Sequence, residues 1–551
     1  RVLGCKGIQR LEKRLTLSER GYWAAFALIL AAGVWVRCYR FTELPLGMNQ
    51  DGTMAGVEAF CLLSGGTDQY GTSWPTYFEA WQFSQMSTLY SYLLIPFIKL
   101  LGLSKFSLRL PMLLMSLIAL PLMWDAARRI AGKNYALAAM FLLALNPWHI
   151  VLSRWALEAN MLPHVLLLAV DLLLAGMQKR WALYLSMVLF GLAPYAYGLA
   201  AVSVPFILLP AAVFLAARRK AKPLDLVICV AVFALVSAPY YVTMAINAFG
   251  LETMTLGRMT MPRFAESKRA GDLALGAENP YLDMVQKLES FLPMATGYYR
   301  AEDYNGVGWA NTMYPFIAPA ALFGVYKLCR DRRKLALQKS EAPLRDGGML
   351  ILIWMFDAMV NTAMVGGVVN RNNILYYPLI LCAAYALWQM GRRLKTALAA
   401  MVVMVAIGFA GMCGIYFGDA DYQFATGNYF LSGLQEALDE TWDWDCDRYY
   451  LTTMDRSDGQ KVMTAQVMFA HHIDYAMRAE EEELRGRDGE PNGWYFTERY
   501  VLQDFSDFEP DPMECAVYIV RQQEKALFDE ADYLITDFGD FAAAYPRYWA
   551  E

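Results

Sequence analysis

The chain has 551 residues, of which 57% are hydrophobic and 18% charged, with a formal net charge of −5. A soluble protein of this length usually carries about a quarter charged residues, so this composition argues against a soluble multidomain enzyme. The net charge hides an asymmetry: from Asp419 onward there are 30 acidic and 10 basic residues, against 23 acidic and 38 basic before it. A basic membrane body with an acidic C-terminal module offers no soluble basic patch, so no nucleic-acid partner is expected.

In chain order, the first apolar run, Tyr22 to Val36, ends in Arg37-Cys38-Tyr39-Arg40 and lacks a small-residue cleavage site. It reads as a retained helix rather than a signal peptide. Apolar runs of spanning length predict about eleven transmembrane helices, near 21–39, 107–127, 134–152, 161–177, 181–197, 199–217, 223–246, 312–328, 348–367, 373–390 and 396–417. Arg10, Lys13, Arg14 and Arg20 precede the first span, and further basic clusters follow every second one: Arg128/Arg129/Lys133, Lys179/Arg180, Arg218 to Lys222, Arg330 to Lys334, and Arg392 to Lys395. The positive-inside rule then sets the N-terminus in the cytoplasm and the C-terminal region on the outer side of the membrane. The run Ser87 to Leu101 is too short to span, and counting it would reverse the Arg128/Arg129 cluster. It is expected as a juxtamembrane or re-entrant helix on the outer surface.

The expected fold is therefore a polytopic α-helical membrane domain, residues 1–418, with a soluble extracytoplasmic α/β domain, residues 419–551. The outer side collects a long first loop (40–106), a turn at Arg154 to Asn160, a turn at Pro194 to Gly198, a lid-like loop (248–311) and the turn Asn370 to Asn373. In the first loop, Asp51 precedes a helix start at Thr53, with Gly65-Gly66 as its stop. A carboxylate there can act as general base on an acceptor hydroxyl or amine, or simply cap the helix. Arg154 and Glu158 lie four apart and share a helical face, so they can pair with each other or line a polar site. Arg371, flanked by Asn370, Asn372 and Asn373, suits a phosphate clamp; an arginine snorkelling to lipid headgroups is the other reading. His149 reads as a packing histidine, since no Cys or His lies near it at metal-site spacing. In the lid-like loop, Arg258, Arg263, Lys268 and Arg269 read as facing anionic lipid, ahead of the segment Ala301 to Gly306.

Several stretches together resemble a known family. They are Asp51 after the first span, Gly66-Thr67-Asp68-Gln69-Tyr70-Gly71 with Trp74-Pro75, Leu89 to Leu93 with Pro96, Ser107 to Pro111, Ser153 to Asn160, and Asn370 to Pro378. Over roughly residues 20–420 the chain looks like bacterial membrane glycosyltransferases of the GT-C class, in the branch related to protein O-mannosyltransferases and aminoarabinose transferases. The resemblance implies an inverting glycosyltransferase that moves a sugar from a polyprenyl-phosphate donor on the outer face of the membrane. It implies Asp51 as the catalytic base. With Arg154 and Arg371 on the donor phosphate, the expected substrate contacts are Asp68, Glu158, Asn370, Asn373 and Tyr197. Where many relatives carry Asp-Glu, this chain has Asp51-Gly52, so a metal is unknown and a divalent cation stays open; no other cofactor is called for. The partners implied are the lipid-linked sugar, membrane lipid, and an acceptor that is protein, lipid or glycan. The main alternative is a transporter or flippase of lipid-linked sugar, which predicts inverted repeats and broken midplane helices; no repeat is seen.

After Asp419 the pattern changes to short buried strands at 449–453, 500–502, 516–520 and 533–536, with helical stretches near 428–441 and 462–479. Cys446 and Cys515 each precede a strand; if those strands are neighbours a disulfide can form outside the cell, and the sequence leaves open whether it does. His471-His472 reads as a solvated helix end rather than a metal site.

Overall fold

The computed structural model describes residues 18–550 except 82–83, 266–272, 299–301, 303, 445, 447, 455–458, 479–493, 497–498 and 507. Arg10, Lys13, Arg14, Lys268, Arg269 and Asp303 therefore lie outside the described residues. Up to Gly418 the described chain is mainly helical, with two short hairpins. Helix α1 (Glu19–Cys38) opens on Ser18, whose hydroxyl accepts the Gly21 N–H at 3.1 Å. It is followed by α2 (Gln50–Gly65), a short hairpin of β1 (Phe78–Ala80) and β2 (Ser84–Met86), and α3 (Leu89–Leu101). Then come α4 (Lys105–Ala131), α5 (Lys133–Ala144), α6 (Pro147–Leu152), α7 (Glu158–Gly176), α8 (Arg180–Ala196), α9 (Ala200–Ala217) and α10 (Pro223–Phe249). The loop after α10 carries a hairpin of β3 (Met254–Leu256) and β4 (Met259–Met261) and the short helices α11 (Pro280–Leu288) and α12 (Phe291–Thr296). The bundle closes with α13 (Ala318–Leu337), α14 (Pro343–Val365), a 3-10 turn (Asn370–Leu375), α15 (Tyr376–Gly391) and α16 (Lys395–Gly418).

Eight of these helices are long and apolar enough to cross a membrane: α1, α4, α7, α9, α10, α14, α15 with its preceding turn, and α16. The other three expected spans are helical but depart from that description. The run 134–152 is broken at Leu145-Asn146, where Asn146 caps α6 by accepting the His149 N–H and Pro147 takes the first helical position. The run 181–197 is a 17-residue helix. The run 312–328 starts only at Ala318 and continues into a charged half, Lys327 to Lys334. Helix α3 has 13 residues, too few to span, as its length alone predicts.

Three of the basic clusters are tied to acids on neighbouring helices. Lys133 pairs with Glu19, Arg129 with Asp171 at 3.0 Å, Arg180 with Asp225 at 3.2 Å, and Arg218 with Asp346 at 2.8 Å. Deeper in the bundle a hydrogen-bonded chain joins five helices, α1, α6, α15, α7 and α4. Arg37 Nη2 donates to His149 Nδ1 (2.7 Å), leaving His149 Nε2 to donate to Tyr377 Oη (2.9 Å). Tyr377 in turn donates to His164 Nδ1 (2.7 Å), and His164 Nε2 to Ser116 Oγ (3.1 Å). An arginine can only donate, so its contact fixes the direction of every later bond. All five residues are buried; His149 is a packing histidine, as expected.

Beyond α16 the chain forms α17 (Ala420–Tyr429), α18 (Leu434–Thr441) and α19 (Gly459–Ala470) around a six-stranded sheet. Its strands are β5 (Arg448–Thr452), β6 (Trp494–Phe496), β7 (Tyr500–Gln503), β8 (Ala516–Arg521), β9 (Tyr533–Phe538) and β10 (Phe541–Pro546), in the order β6-β7-β5-β8-β10-β9. The β7-β5-β8 core is parallel and the edges are antiparallel. The four expected strands are present, and β6 and β10 are additions. The Ala542-Ala543-Ala544 run of β10 has weak strand preference, yet it lies between β8 and β9 with all six residues buried. Because Arg448 pairs with Ala516, Cys446 and Cys515 do start neighbouring strands, but both are thiols in this structure.

Candidate active site

Asp51 lies in the first turn of α2, half-buried. The helix cap is Asn49, not Asp51: Asn49 Oδ1 accepts the Gly52 N–H at 3.1 Å and also Trp155 Nε1 at 3.0 Å. Capping therefore does not account for Asp51. Gly52 sits flat on the turn after α6, where a Cβ would lie 2.6 Å from Ala156 O, so a side chain there would push α2 away from α7.

Glu158, in the first turn of α7, is 4% exposed and accepts the Ser87 N–H just after β2. This bond docks the β1–β2 hairpin on α7. Gln85 of β2 faces a cavity of about 590 Å³ whose walls include Tyr77, Tyr197, Tyr240, Tyr241 and Arg371. Asn247, Met244 and Phe264 complete the side next to the loop after α10. The wall is thus apolar and aromatic with a few polar atoms and one guanidinium, the usual make-up of a small-molecule site.

Arg371 is half-buried in the 3-10 turn between α14 and α15. Its neighbours hold the turn still. Asn372 Oδ1 accepts from Thr362 Oγ1 (2.8 Å) and its Nδ2 donates to Gly366 O (2.6 Å). Asn361 Nδ2 donates to the Arg371 carbonyl at 2.8 Å. Asn373 Oδ1 accepts Trp148 Nε1 (2.7 Å), and its Nδ2 donates to Asn160 Oδ1 (2.9 Å). Asn373, at 2% exposure, is a strut between the turn, α6 and α7, not the substrate contact expected from sequence. Asn370 opens the same turn, half-buried.

Arg154 and Asp68 also depart from expectation. Arg154 is fully buried and donates to five backbone carbonyls: Leu44 (3.2 Å), Val36 (3.2 Å), Arg37 (3.1 Å), Tyr39 (2.8 Å) and Arg40 (2.5 Å). Val36 and Arg37 lie in the last turn of α1, whose carbonyls lack intrahelical partners; the other three lie just beyond it, and the Arg40 carbonyl also accepts the Glu43 and Leu44 N–H groups. The guanidinium is a C-terminal cap for that helix; it neither pairs with Glu158 nor presents its donors to a phosphate. Asp68 is 1% exposed, and its Oδ1 accepts the N–H groups of Tyr70 (3.0 Å) and Thr72 (2.7 Å), closing a turn. Burial pushes its pKa up to about 6. Glu58 on α2 is completely buried, accepts from Gln69 N (3.0 Å) and Nε2 (2.6 Å), and is held well above the usual carboxylate range by burial and by Asp68.

Of the residues singled out from sequence, Tyr197 and Arg371 line the cavity. The residues missed are Tyr77, Gln85, Tyr240, Tyr241 and Phe264; the one available signal was the Tyr240-Tyr241 pair inside an otherwise apolar span. Among the described residues no group of three or more His, Cys, Asp or Glu side chains could hold a metal ion. His472 is exposed, but His471 is half-buried: its ring packs at a tilt against Trp442 (centroids 4.0 Å apart) and bonds Tyr500 and Leu438 O, and burial lowers its pKa to about 4.

Residues 86–242 match the family model described as PMT_2, dolichyl-phosphate-mannose-protein mannosyltransferase. No curated protein matches the chain by sequence. Among solved structures it is similar to ArnT from Cupriavidus metallidurans. The apo form gives a TM-score of 0.51 and the form bound to undecaprenyl phosphate 0.53, each at 12% identity and covering 96% of this chain and 98% of that one. AglB, the archaeal oligosaccharyltransferase from Archaeoglobus fulgidus in complex with an inhibitory peptide and a dolichol-phosphate, is 13% identical over 81% of this chain and 63% of its own, with a TM-score of 0.47.

Proposed function

We propose that this chain, a membrane glycosyltransferase of the GT-C class, transfers a sugar from a polyprenyl-phosphate donor in an inverting reaction, with Asp51 as base and Arg371 on the donor phosphate. The observation that carries the reading is the aromatic cavity that Arg371 lines. Four tyrosines and Gln85 around one guanidinium suit a sugar joined to a phosphate: ring faces for the sugar, phenols and an amide for its hydroxyls, and a planar cation for the phosphate. The apolar side, along α10, suits an isoprenoid tail. The undecaprenyl phosphate bound by the ArnT relative supports this choice of donor.

The step is a displacement at the anomeric carbon. The acceptor oxygen or nitrogen attacks it as the bond to the phosphate oxygen breaks. The proton of the acceptor passes to Asp51, and the electron pair leaves with polyprenyl phosphate. Negative charge grows on that phosphate, where a fixed guanidinium is worth most. Attack opposite the leaving group inverts the centre. The alternating basic clusters support an orientation with the cavity end and the C-terminal region outside the cytoplasmic membrane. The acceptor, whether protein, lipid or glycan, is left to the assay.

The test is release of radiolabelled sugar from undecaprenyl-phosphate-linked donors by membranes holding the wild type or Asp51→Asn at equal expression. Transfer by the wild type and a loss of about 10³-fold in the variant is expected for a general base. Equal transfer by both would remove Asp51 from the reaction.

A further inference from the structure

We propose that the C-terminal region positions α2, the helix that carries Asp51, and that the Gly66–Gly71 motif of the first loop is its socket. The proposal rests on the reading of Asp51 as base, and three sets of contacts carry it. Helix α19 lies along α2. The Thr53 hydroxyl, two residues after Asp51, stands 3.0 Å from Asn49 O and 3.3 Å from Gln466 Oε1, its single proton shared between the two, and Gln435 Nε2 of α18 donates to the same Gln466 oxygen at 2.8 Å. Three residues on, the Phe469 ring covers Gly56 so closely that a Cβ there would lie 2.9 Å from its Cε2.

After α19 the chain turns towards the motif. Gly71 has a φ of +87°, and a Cβ on it would fall 2.6 Å from the Tyr475 ring, so both its conformation and its missing side chain are needed to seat that tyrosine. Arg478, 5% exposed, donates to Gln69 O (3.3 Å) and Oε1 (3.4 Å), and its guanidinium stands 5.0 Å from the Tyr70 ring centroid. Gln69 in turn donates to Glu58 on α2. Arg478 is thus joined to α2 by a continuous polar path and faces the carboxyls of buried Glu58 and half-buried Glu79. A buried cation with its acceptors in place fixes geometry, and removing it strands the carboxyls it faces. Between the two, His472 Nε2 donates to Leu103 O at 3.2 Å.

Helix α2 is therefore held at its start by Asn49–Trp155 and along its length by α19 and Arg478. A base must be placed within fractions of an ångström to act, and a 16-residue helix standing on one end would not keep that placement.

The experiment compares the full chain in lipid nanodiscs with Phe469→Ala, Arg478→Ala and Thr53→Val, reading hydrogen exchange at residues 50–65 and the kinetics of sugar release from undecaprenyl-phosphate-linked donor. Expected are about tenfold faster exchange at 50–65 in the first two variants and a kcat lowered about tenfold, with the donor KM within twofold. Arg478→Lys should recover part of both, and Thr53→Val should give a smaller change of the same kind. Unchanged exchange at 50–65, or faster exchange with unchanged kcat, overturns the proposal. Asp51→Asn separates it from the functional reading: that variant should lose transfer while exchange at 50–65 stays as in the wild type. If Asp51→Asn keeps full activity, the base assignment fails, whereas the exchange data still report whether the region holds α2.

Discussion

Arg154 and Arg371 come from similar surroundings, each in a short turn joining two apolar helices, yet the fold uses them in opposite ways. Arg154 has turned inward, and five carbonyls from 36–44 take its hydrogen bonds. Arg371 sits on the wall of the aromatic cavity, while the amides on either side of it do the fastening. The lesson is that an arginine near a helix end serves whatever acceptors the tertiary structure leaves short of donors. At the end of α1 these are backbone carbonyls. At the cavity the proposed acceptor is a phosphate brought by the substrate.

The largest effect should come from Arg154→Gln. Stranding several buried carbonyls costs about 3 kcal/mol or more, read as a fall in the thermal midpoint in detergent and in the yield of folded protein. Activity per folded molecule should stay within a few-fold. Arg154→Lys should rescue little, because one ammonium cannot reach five carbonyls. A stable Arg154→Gln protein with weakened donor binding would exchange the roles of the two arginines. Next, Arg371→Gln should cut transfer by about 10²-fold, about 2.7 kcal/mol in the transition state, with a stability change within about 0.5 kcal/mol. A large loss of stability instead would make Arg371 a second structural cap.

The comparison sharpens at Asn373. Asn373→Ala removes contacts to Trp148, Ala159 and Asn160, and should cost about 2 kcal/mol of stability and slow transfer severalfold by loosening the turn under Arg371. The smallest effect expected is a pH dependence. Burial raises the Asp68 pKa from 3.8 to about 6, so the folded loop binds its proton more tightly than the unfolded chain does. That contribution to stability is fully present below pH 3.8 and is lost as the pH rises through about 6. The thermal midpoint of the wild type should therefore rise as the pH is lowered from 7 to 5, and that of Asp68→Asn should rise less.

The elements read most easily from sequence are those fixed by long local patterns. The apolar runs located the helices, and even the exception at α3 followed from its length. The break at Leu145-Asn146 was missed because Asn146-Pro147 is a helix start inside an unbroken apolar run, and apolar content outweighs a capping signal in a window of spanning length. Strand β10 was missed because three alanines carry no strand signal; its neighbours β8 and β9 impose the conformation. At the site, Tyr197 and Arg371 could be picked as polar side chains in turns. Tyr77, Tyr240 and Gln85 could not, since a tyrosine in a helix or hairpin looks the same whether it faces a cavity or a packed core.

The sequence by itself determined that the chain is a helical membrane protein with a sheet-containing C-terminal region, because hydrophobic runs and charge clusters act over distances shorter than one helix. The tertiary structure decided which polar residues line the cavity and which hold the frame. Whether Arg154, Asp68 or Asn373 meets a ligand depends on which backbone groups come within about 3 Å of it, and those groups belong to segments tens to hundreds of residues away as often as to near neighbours.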